Sequence, residues 1–243
     1  MSEPTATARA DQLAALSALG EPTRRALYEH VANAGRWISR DEAADALALE
    51  RSTAAHHLDR LASDGLLETD YQRLSGKQGP GAGRPAKLYR RAGRDFDVTL
   101  PPRDYALAGM MLAEAVDRSR AERVDIAESI DAVAADEGRR LGAAIGDELR
   151  VARARTAASR RKVVFAVLER HGFEPRTGDD GTVVLRNCPF HQLAQQHTDL
   201  ICGMNLEMLK AAIDNVGDIG LEARFEPEVG ACCVTLRRVS TRP

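Results

Sequence analysis

The densest chemistry in the chain lies in "RNCPFHQLAQQHTDLICGMN", residues 186–205, where Cys188, His191, His197 and Cys202 fall within fifteen residues. The chain has four cysteines, and the other two, Cys232 and Cys233, are adjacent in "GACCVTL". Cys188 and His191 have C-x-x-H spacing, which lets two ligands reach one ion from a tight turn, and Pro189 stiffens that turn. His197 follows on the next helix, Cys202 is expected at that helix's end, and Gly203 lets the backbone turn. Adjacent strand residues point to opposite faces. Cys232 has the parity of apolar Val234 and Leu236, and Cys233 that of Thr235 and Arg237, so the two are not expected to bind one site together. The clustering of cysteines and histidines points to a metal or redox site. A second reading is buried, inert thiols, since free cysteine is among the most buried residue types. A third is a cysteine–histidine nucleophile–base pair. The chain shows no third orienting group, phosphate-cradling loop or paired carboxylates for that chemistry, so no enzyme activity is expected.

A different chemistry sits in "RSTAAHHLDRLASDGLL". Its outward face as a helix is Arg51, Ser52, Thr53, His56, His57 and Arg60. Short donors and acceptors at a helix N-terminus suit base edges and phosphates. Downstream, from Gln72 to Arg94, stand seven basic residues (Arg73, Lys77, Arg84, Lys87, Arg90, Arg91, Arg94) and no acidic one. The whole chain carries a formal charge of −2, so this positive charge is local. Neutralising phosphates releases counterions, the main source of sequence-independent affinity for nucleic acid.

The elements that must position these groups fall into three segments. Residues 1–101 read as a DNA-binding domain. "SALGEPTRRALYEHVANAG" is a helix with Glu21 and Pro22 at its start and Gly35 at its end. A second helix opens at "SRDEAADAL", with Ser39 as cap and Glu42 placed to complete a capping box. A turn at "ALAL" leads into the third helix, whose buried stripe is Ala54, Leu58 and Leu61 and which Gly65 ends. "LLETDYQRL" and "AKLYRRA" read as strands around the loop "SGKQGPGAGRP".

Residues 102–159 read as a long helical linker that either pairs two subunits or packs on its own domain. Ile126, Ile130, Val133, Leu141, Ile145 and Leu149 recur at helical spacing, and Gly138, Gly142 and Gly146 recur every four residues, as in a close helix crossing. Residues 160–243 have the order α-β-β-α-α-β-β, a small α+β domain with "GDDG" turning its first hairpin. The fold class is α+β: an N-terminal winged helix-turn-helix, the helical linker and a small C-terminal sensor domain.

At 243 residues with 44% apolar and 29% charged residues, the chain has the composition of an ordinary globular protein. Its start, "MSEPTATARADQ", is polar, and no apolar run approaches the roughly 18 residues of a membrane span. The expectation is a cytoplasmic protein with no membrane partner. In a reducing compartment, four cysteines are thiols or metal ligands rather than disulfides.

Helix, short turn, helix, then two strands around a basic loop is the layout of a winged helix-turn-helix, whose second helix enters the major groove. "LGEPTRRALYEHV", "AADALALERSTAAHHLDRLASDGLLE" and "GAGRPAKLYRR", over roughly residues 13–92, resemble the winged-helix repressors of the arsenic-repressor (ArsR-like) superfamily. The resemblance implies a homodimeric regulator on double-stranded DNA with an inverted-repeat operator. It implies contacts from Ser52, Thr53, His56 and Arg60 and from the wing's Arg84 and Lys87. The C-terminal segment is similar to that of the iron–sulfur-responsive (SufR-like) repressors, in which three cysteines hold a [4Fe–4S] cluster. "NCP" with Cys188, then Cys202, then Cys232 match those positions, with Cys202 one residue later than in the family pattern. The resemblance implies a cluster with Cys188, Cys202 and Cys232 as ligands, and a non-cysteine ligand for the fourth iron, His191 or alternatively His197. Zinc held by three cysteines and a histidine fits the same residues, and a small-organic-ligand sensor with structural cysteines is the remaining alternative.

Overall fold

The helix expected at "GEPTRRALYEHV" starts at its proline. Glu21 is the N-cap, and its carboxylate accepts hydrogen bonds from the N–H groups of Thr23 and Arg24 at 2.9 and 2.6 Å. Pro22 takes the first helical position, where a missing N–H costs nothing, and Gly35 closes the helix at φ 64°. The computed structural model describes residues 6–72, 85–217 and 219–239. The chain divides into two compact units, residues 1–98 and 99–243, and the fold class is α+β.

In the first unit, α1 (Ala6–Ala18) and α2 (Pro22–Ala34) precede a two-residue strand β1 (Ile38–Ser39), then α3 (Arg40–Ala46), α4 (Arg51–Ser63), β2 (Leu67–Gln72) and β3 (Ala86–Arg91). The sequence patterns expose every one of these except α1 and β1. Ser39 caps α3, accepting from the Glu42 N–H at 3.2 Å. The reciprocal half of the expected capping box is absent, because the Glu42 carboxylate is held by Arg36 instead. Between α3 and α4, Ala48 takes φ 50°, the left-handed conformation that turns the chain tightly. Ala54, Leu58 and Leu61 of α4 are fully buried, as their spacing requires, against Leu27, Val31 and Ile38. The sheet order is β1-β3-β2, all antiparallel.

The second unit holds α5 (Tyr105–Glu122), α6 (Ile126–Val151), α7 (Ala157–Arg170), β4 (Pro175–Thr177), β5 (Val183–Leu185), α8 (His191–Gln196), α9 (Thr198–Val216), β6 (Leu221–Phe225) and β7 (Val234–Arg238). The four strands form one antiparallel sheet in the order β4-β5-β7-β6. The stretch read as a separate linker, 102–159, does not stand apart. Ile130, Val133, Leu141, Ile145 and Leu149 of α6 share one hydrophobic core with α7, α9 and the sheet.

The glycine repeat explains how α6 comes so close to α9. A Cβ on Gly138 would stand 2.1 Å from the Met208 carbonyl oxygen, and one on Gly142 would stand 2.7 Å from that of Ala212. Only glycine permits this approach. The close helix crossing expected from the spacing is present, and it lies within one chain. The third glycine, Gly146, meets nothing within 4 Å.

Candidate nucleic-acid interface and thiol centre

The N-terminal face of α4 presents Arg51, Ser52, His56 and Arg60 to solvent, with Thr53 half-buried. Two of these are tethered. The Arg51 guanidinium grips the Asp41 carboxylate at the start of α3, with Nε donating at 2.7 Å. Arg60 reaches Asp64 one turn on, at 2.9 Å. Both bonds hold a cation at the helix surface in a fixed direction. Ser52 and His56 remain the exposed, short polar groups. His57 differs from its neighbour. Its side chain keeps only 15% of its exposure, because it turns back to α2, where its Nδ1 accepts from Arg24 Nε at 3.4 Å and lies 3.7 Å from the Glu21 carboxylate. It therefore joins two helices of the motif rather than projecting outward, a correction to the outward face expected from helical spacing.

The wing's Arg73, Lys77 and Arg84 lie outside the described residues. Lys87, on β3, donates to the Asp59 carboxylate of α4 at 2.6 Å, and the Tyr89 hydroxyl donates to the same oxygen at 2.7 Å. Burial pushes the Asp59 carboxyl up, but the hydrogen bonds from Lys87 and Tyr89 outweigh it and hold the group below its usual range. Asp59 thus ties the recognition helix to the wing strand. Arg90, exposed on the same strand, stacks over the Trp37 ring at 4.6 Å and is paired with Glu68.

In the second unit the four cysteines come together from three places in the chain. β5 and β7 are antiparallel neighbours, with Val183 opposite Leu236 and Val184 opposite Thr235. The end of β5 and the start of β7 therefore emerge at the same edge. The Cys232 N–H donates to the Leu185 carbonyl at 2.8 Å, which sets Cys232 beside the "NCP" turn that follows β5. Cys188 and Cys232 lie close enough for each thiol to influence the other's ionisation. Cys202 approaches from α9, and its Sγ lies 3.0 Å from that of Cys233.

Three expectations change here. Cys232 and Cys233 precede β7 rather than beginning it, yet they diverge as their parity requires: Cys232 is buried in the core with Val234 and Leu236, Cys233 is half-buried, and each meets a different partner cysteine. Cys202 lies in the first turns of α9, on its buried stripe, and the helix runs on through Gly203 instead of turning there. His191 and His197, expected as the fourth ligand, are exposed at the two ends of α8. A six-residue helix with no buried side chain leaves them facing water, and no bond from either ring to a cysteine is present among the described residues.

The thiols differ in their electrostatics. The contact with Cys232 lowers the Cys188 thiol against the opposing effect of burial, with help from the Phe190 N–H and the nearby Arg103 charge. Burial and the contact with Cys233 push Cys202 up to about 12. The contact with Cys188, with burial, pushes Cys232 well up.

Residues that the sequence reading passed over fix this arrangement. Asn187 is buried, and its side-chain amide donates to the carbonyls of Gly172 and Pro102 at 2.5 and 2.8 Å. Its oxygen accepts from Arg103, whose guanidinium also donates to the Cys188 carbonyl at 3.0 Å. Asn205, one turn below Cys202 on α9, donates to Cys232 Sγ at 3.3 Å, while its Oδ1 is buried without a partner. Asn187 is adjacent to Cys188, which is a usable signal; Arg103 stands 85 positions from the carbonyl it holds and carries none.

The chemistry of the donors suits a thiophilic metal: four sulfurs, one with a depressed thiol pKa, and an unpartnered buried amide oxygen beside them. The thiols stand as two pairs rather than a closed cage. Among the described residues no group of three or more His, Cys, Asp or Glu side chains takes up metal-holding geometry. Nor is any described helix long and apolar enough to cross a membrane.

Residues 19–70 match the family model of a helix-turn-helix domain. The match spans α2, α3, α4 and most of β2, and it supports a DNA-binding transcriptional regulator. Comparison with curated proteins and with solved structures gives no match.

Proposed function

We propose that this protein is a transcriptional regulator that binds an inverted-repeat operator as a homodimer and responds to iron–sulfur or metal status through the cysteines of its second unit. The observation that carries the sensing half is the convergence of Cys188, Cys202, Cys232 and Cys233 at one end of the four-stranded sheet. Ser52, Thr53, His56 and Arg60 are the groups that would meet base edges and phosphates. Arg51, Lys87 and the loop basics Arg73, Lys77 and Arg84 add phosphate contacts. An inverted repeat presents two half-sites about one helical turn apart, and a homodimer supplies one α4 to each.

Thiolates are the ordinary protein ligands of iron–sulfur clusters, and a bound [4Fe–4S] cluster would supply sensitivity to oxidants and to iron supply. Cys188, Cys202 and Cys232 would hold it, with Cys233 in the position first given to a histidine. The switch requires that occupancy of this site and binding of the operator favour the same, or opposite, arrangements of the chain. Zinc is a second occupant, since thiolates are ordinary zinc ligands.

The test is elemental analysis and visible absorption of protein purified without oxygen. Iron and sulfide with a brown absorption band support the cluster, and one zinc per chain supports the second occupant. Metal-free protein whose C188S/C202S/C232S variant controls transcription normally would refute both.

A further inference from the structure

We propose that the second unit carries a binding pocket for a small organic anion, a carboxylate or a phosphate, at the turn between α6 and α7. A cavity of about 640 Å³ opens there between the end of α6, the connecting turn, the start of α7 and the end of α9. That volume is in the range of small-molecule sites. Its wall contains Arg150, Arg153, Arg155 and Arg160 against a single carboxylate, Asp147. Asp147 is engaged by Arg150. Arg153 and Arg155 have no ion-pair partner among the described residues. Such a density of cations in a chain of net charge −2 calls for an anion.

Two features separate this pocket from a merely solvated basic surface. Arg160 is anchored by a hydrogen bond from Nη2 to the Val216 carbonyl at 2.8 Å, while its Nε is buried with no acceptor. That bond holds the Arg160 guanidinium in place at the pocket wall, a fixed cation for an anion to meet. The second feature is Gly146. Gly138 and Gly142 are glycine because α9 presses on them, but Gly146 has nothing within 4 Å and lies on the pocket wall. The third member of the glycine repeat therefore keeps the cavity open rather than the helices close.

The arginine fork matches carboxylate and phosphate oxygens in two-pronged geometry. Apolar Leu149, Ala154 and Val216 complete the lining and suit a compact organic body. An open pocket recessed between the ends of two helices and the start of a third, with one arginine fixed in its wall, suits a small ligand. The inference stands independently of the thiol centre, although α9 reaches both sites.

The experiment is calorimetric titration of the full chain with citrate and, separately, inorganic phosphate, with ionic strength held constant by chloride. The account expects saturable binding of at least one probe, and which one binds tells carboxylate from phosphate. Two variants are compared: R153Q/R155Q, which removes exposed charge, and G146L, which fills the cavity and leaves the charge. Both should keep the wild-type melting profile and bind the probe at least about tenfold more weakly. If neither probe saturates below about 10 mM, or if wild type and both variants bind alike, the proposal is wrong. It is equally wrong if both probes are silent and R153Q/R155Q instead weakens binding to DNA, which would assign these arginines to a nucleic acid.

Discussion

The two units present their chemistry in opposite ways. In the first, the groups proposed to face DNA lie within one helix, Arg51 to Arg60, and the caps at Glu21 and Ser39, with Gly65 at φ 75° after α4, set the helices that hold it. In the second, the cysteines come from the end of β5, the start of α9 and the approach to β7, and they meet only because the sheet order is β4-β5-β7-β6. A site written locally is readable by pattern, and residues 19–70 are also where the family match falls. A site assembled by topology depends on long-range packing, and its integrity should fail when that packing is disturbed far from the cysteines.

The largest expected effect tests that dependence. G138A places a Cβ against the backbone of α9, which no rotamer change can relieve. It should destabilise the second unit by about 3 kcal/mol and leave the first unit's unfolding transition unchanged in urea. G146A, eight residues on, should be neutral or stabilising by up to about 1 kcal/mol, since alanine is the better helix former. Equal effects from the two would break the account of the crossing.

Asn187→Ala comes next. It frees two carbonyls and the Arg103 guanidinium, at a cost of about 2 kcal/mol, and should speed alkylation of Cys188 by loosening its turn. Denaturation and thiol-labelling rates check both. Unchanged labelling would mean that the turn is held by something else.

The histidine pair sharpens the first unit. His56→Ala should weaken operator binding by roughly tenfold with no change in melting temperature, because the ring is exposed. His57→Ala should lower the melting temperature, because it removes contacts to Arg24 and Glu21. Anisotropy titrations and thermal melts separate the two roles, and identical behaviour would erase the distinction.

The smallest effect is in acid. Asp59 has a folded pKa below its unfolded value, so its contribution is present above about pH 4 and is lost as pH falls through the lower, folded value. The pair is largely exposed, so this is worth less than about 1 kcal/mol. Asp59→Asn should flatten that part of the stability–pH curve, and a wild-type slope in the variant would show that the Lys87 and Tyr89 bonds contribute nothing.

Much of the first unit was legible because caps, turn residues and the stripe Ala54–Leu58–Leu61 are local signals. What escaped there was α1, whose apolar positions are mostly alanines, and the inward turn of His57, set by contact with a different helix. In the second unit the glycine spacing foretold a close crossing but not its partner. The α-β-β-α-α-β-β order was readable, yet the merging of the helical stretch into the same core was not, because an amphipathic helix does not state which surface covers it. The parity of Cys232 with Val234 and Leu236 holds in the burial, with Cys232 in the core and Cys233 half-buried, although both residues precede the strand. The histidines were attractive as ligands by spacing alone, and the short, exposed α8 removes them from the thiols.

The central claim is that the thiol centre in the second unit governs what α4 does to DNA. The direct measurement is the affinity for operator DNA, selected by the protein from a random pool. Anaerobic protein as purified is compared with the same protein after chelation and with its C188S variant. The account predicts that chelation shifts the affinity by at least about fivefold, and that C188S behaves like the chelated protein whether or not chelator is added. Equal affinity in all three would contradict it, leaving a DNA-binding protein whose cysteines serve only its fold.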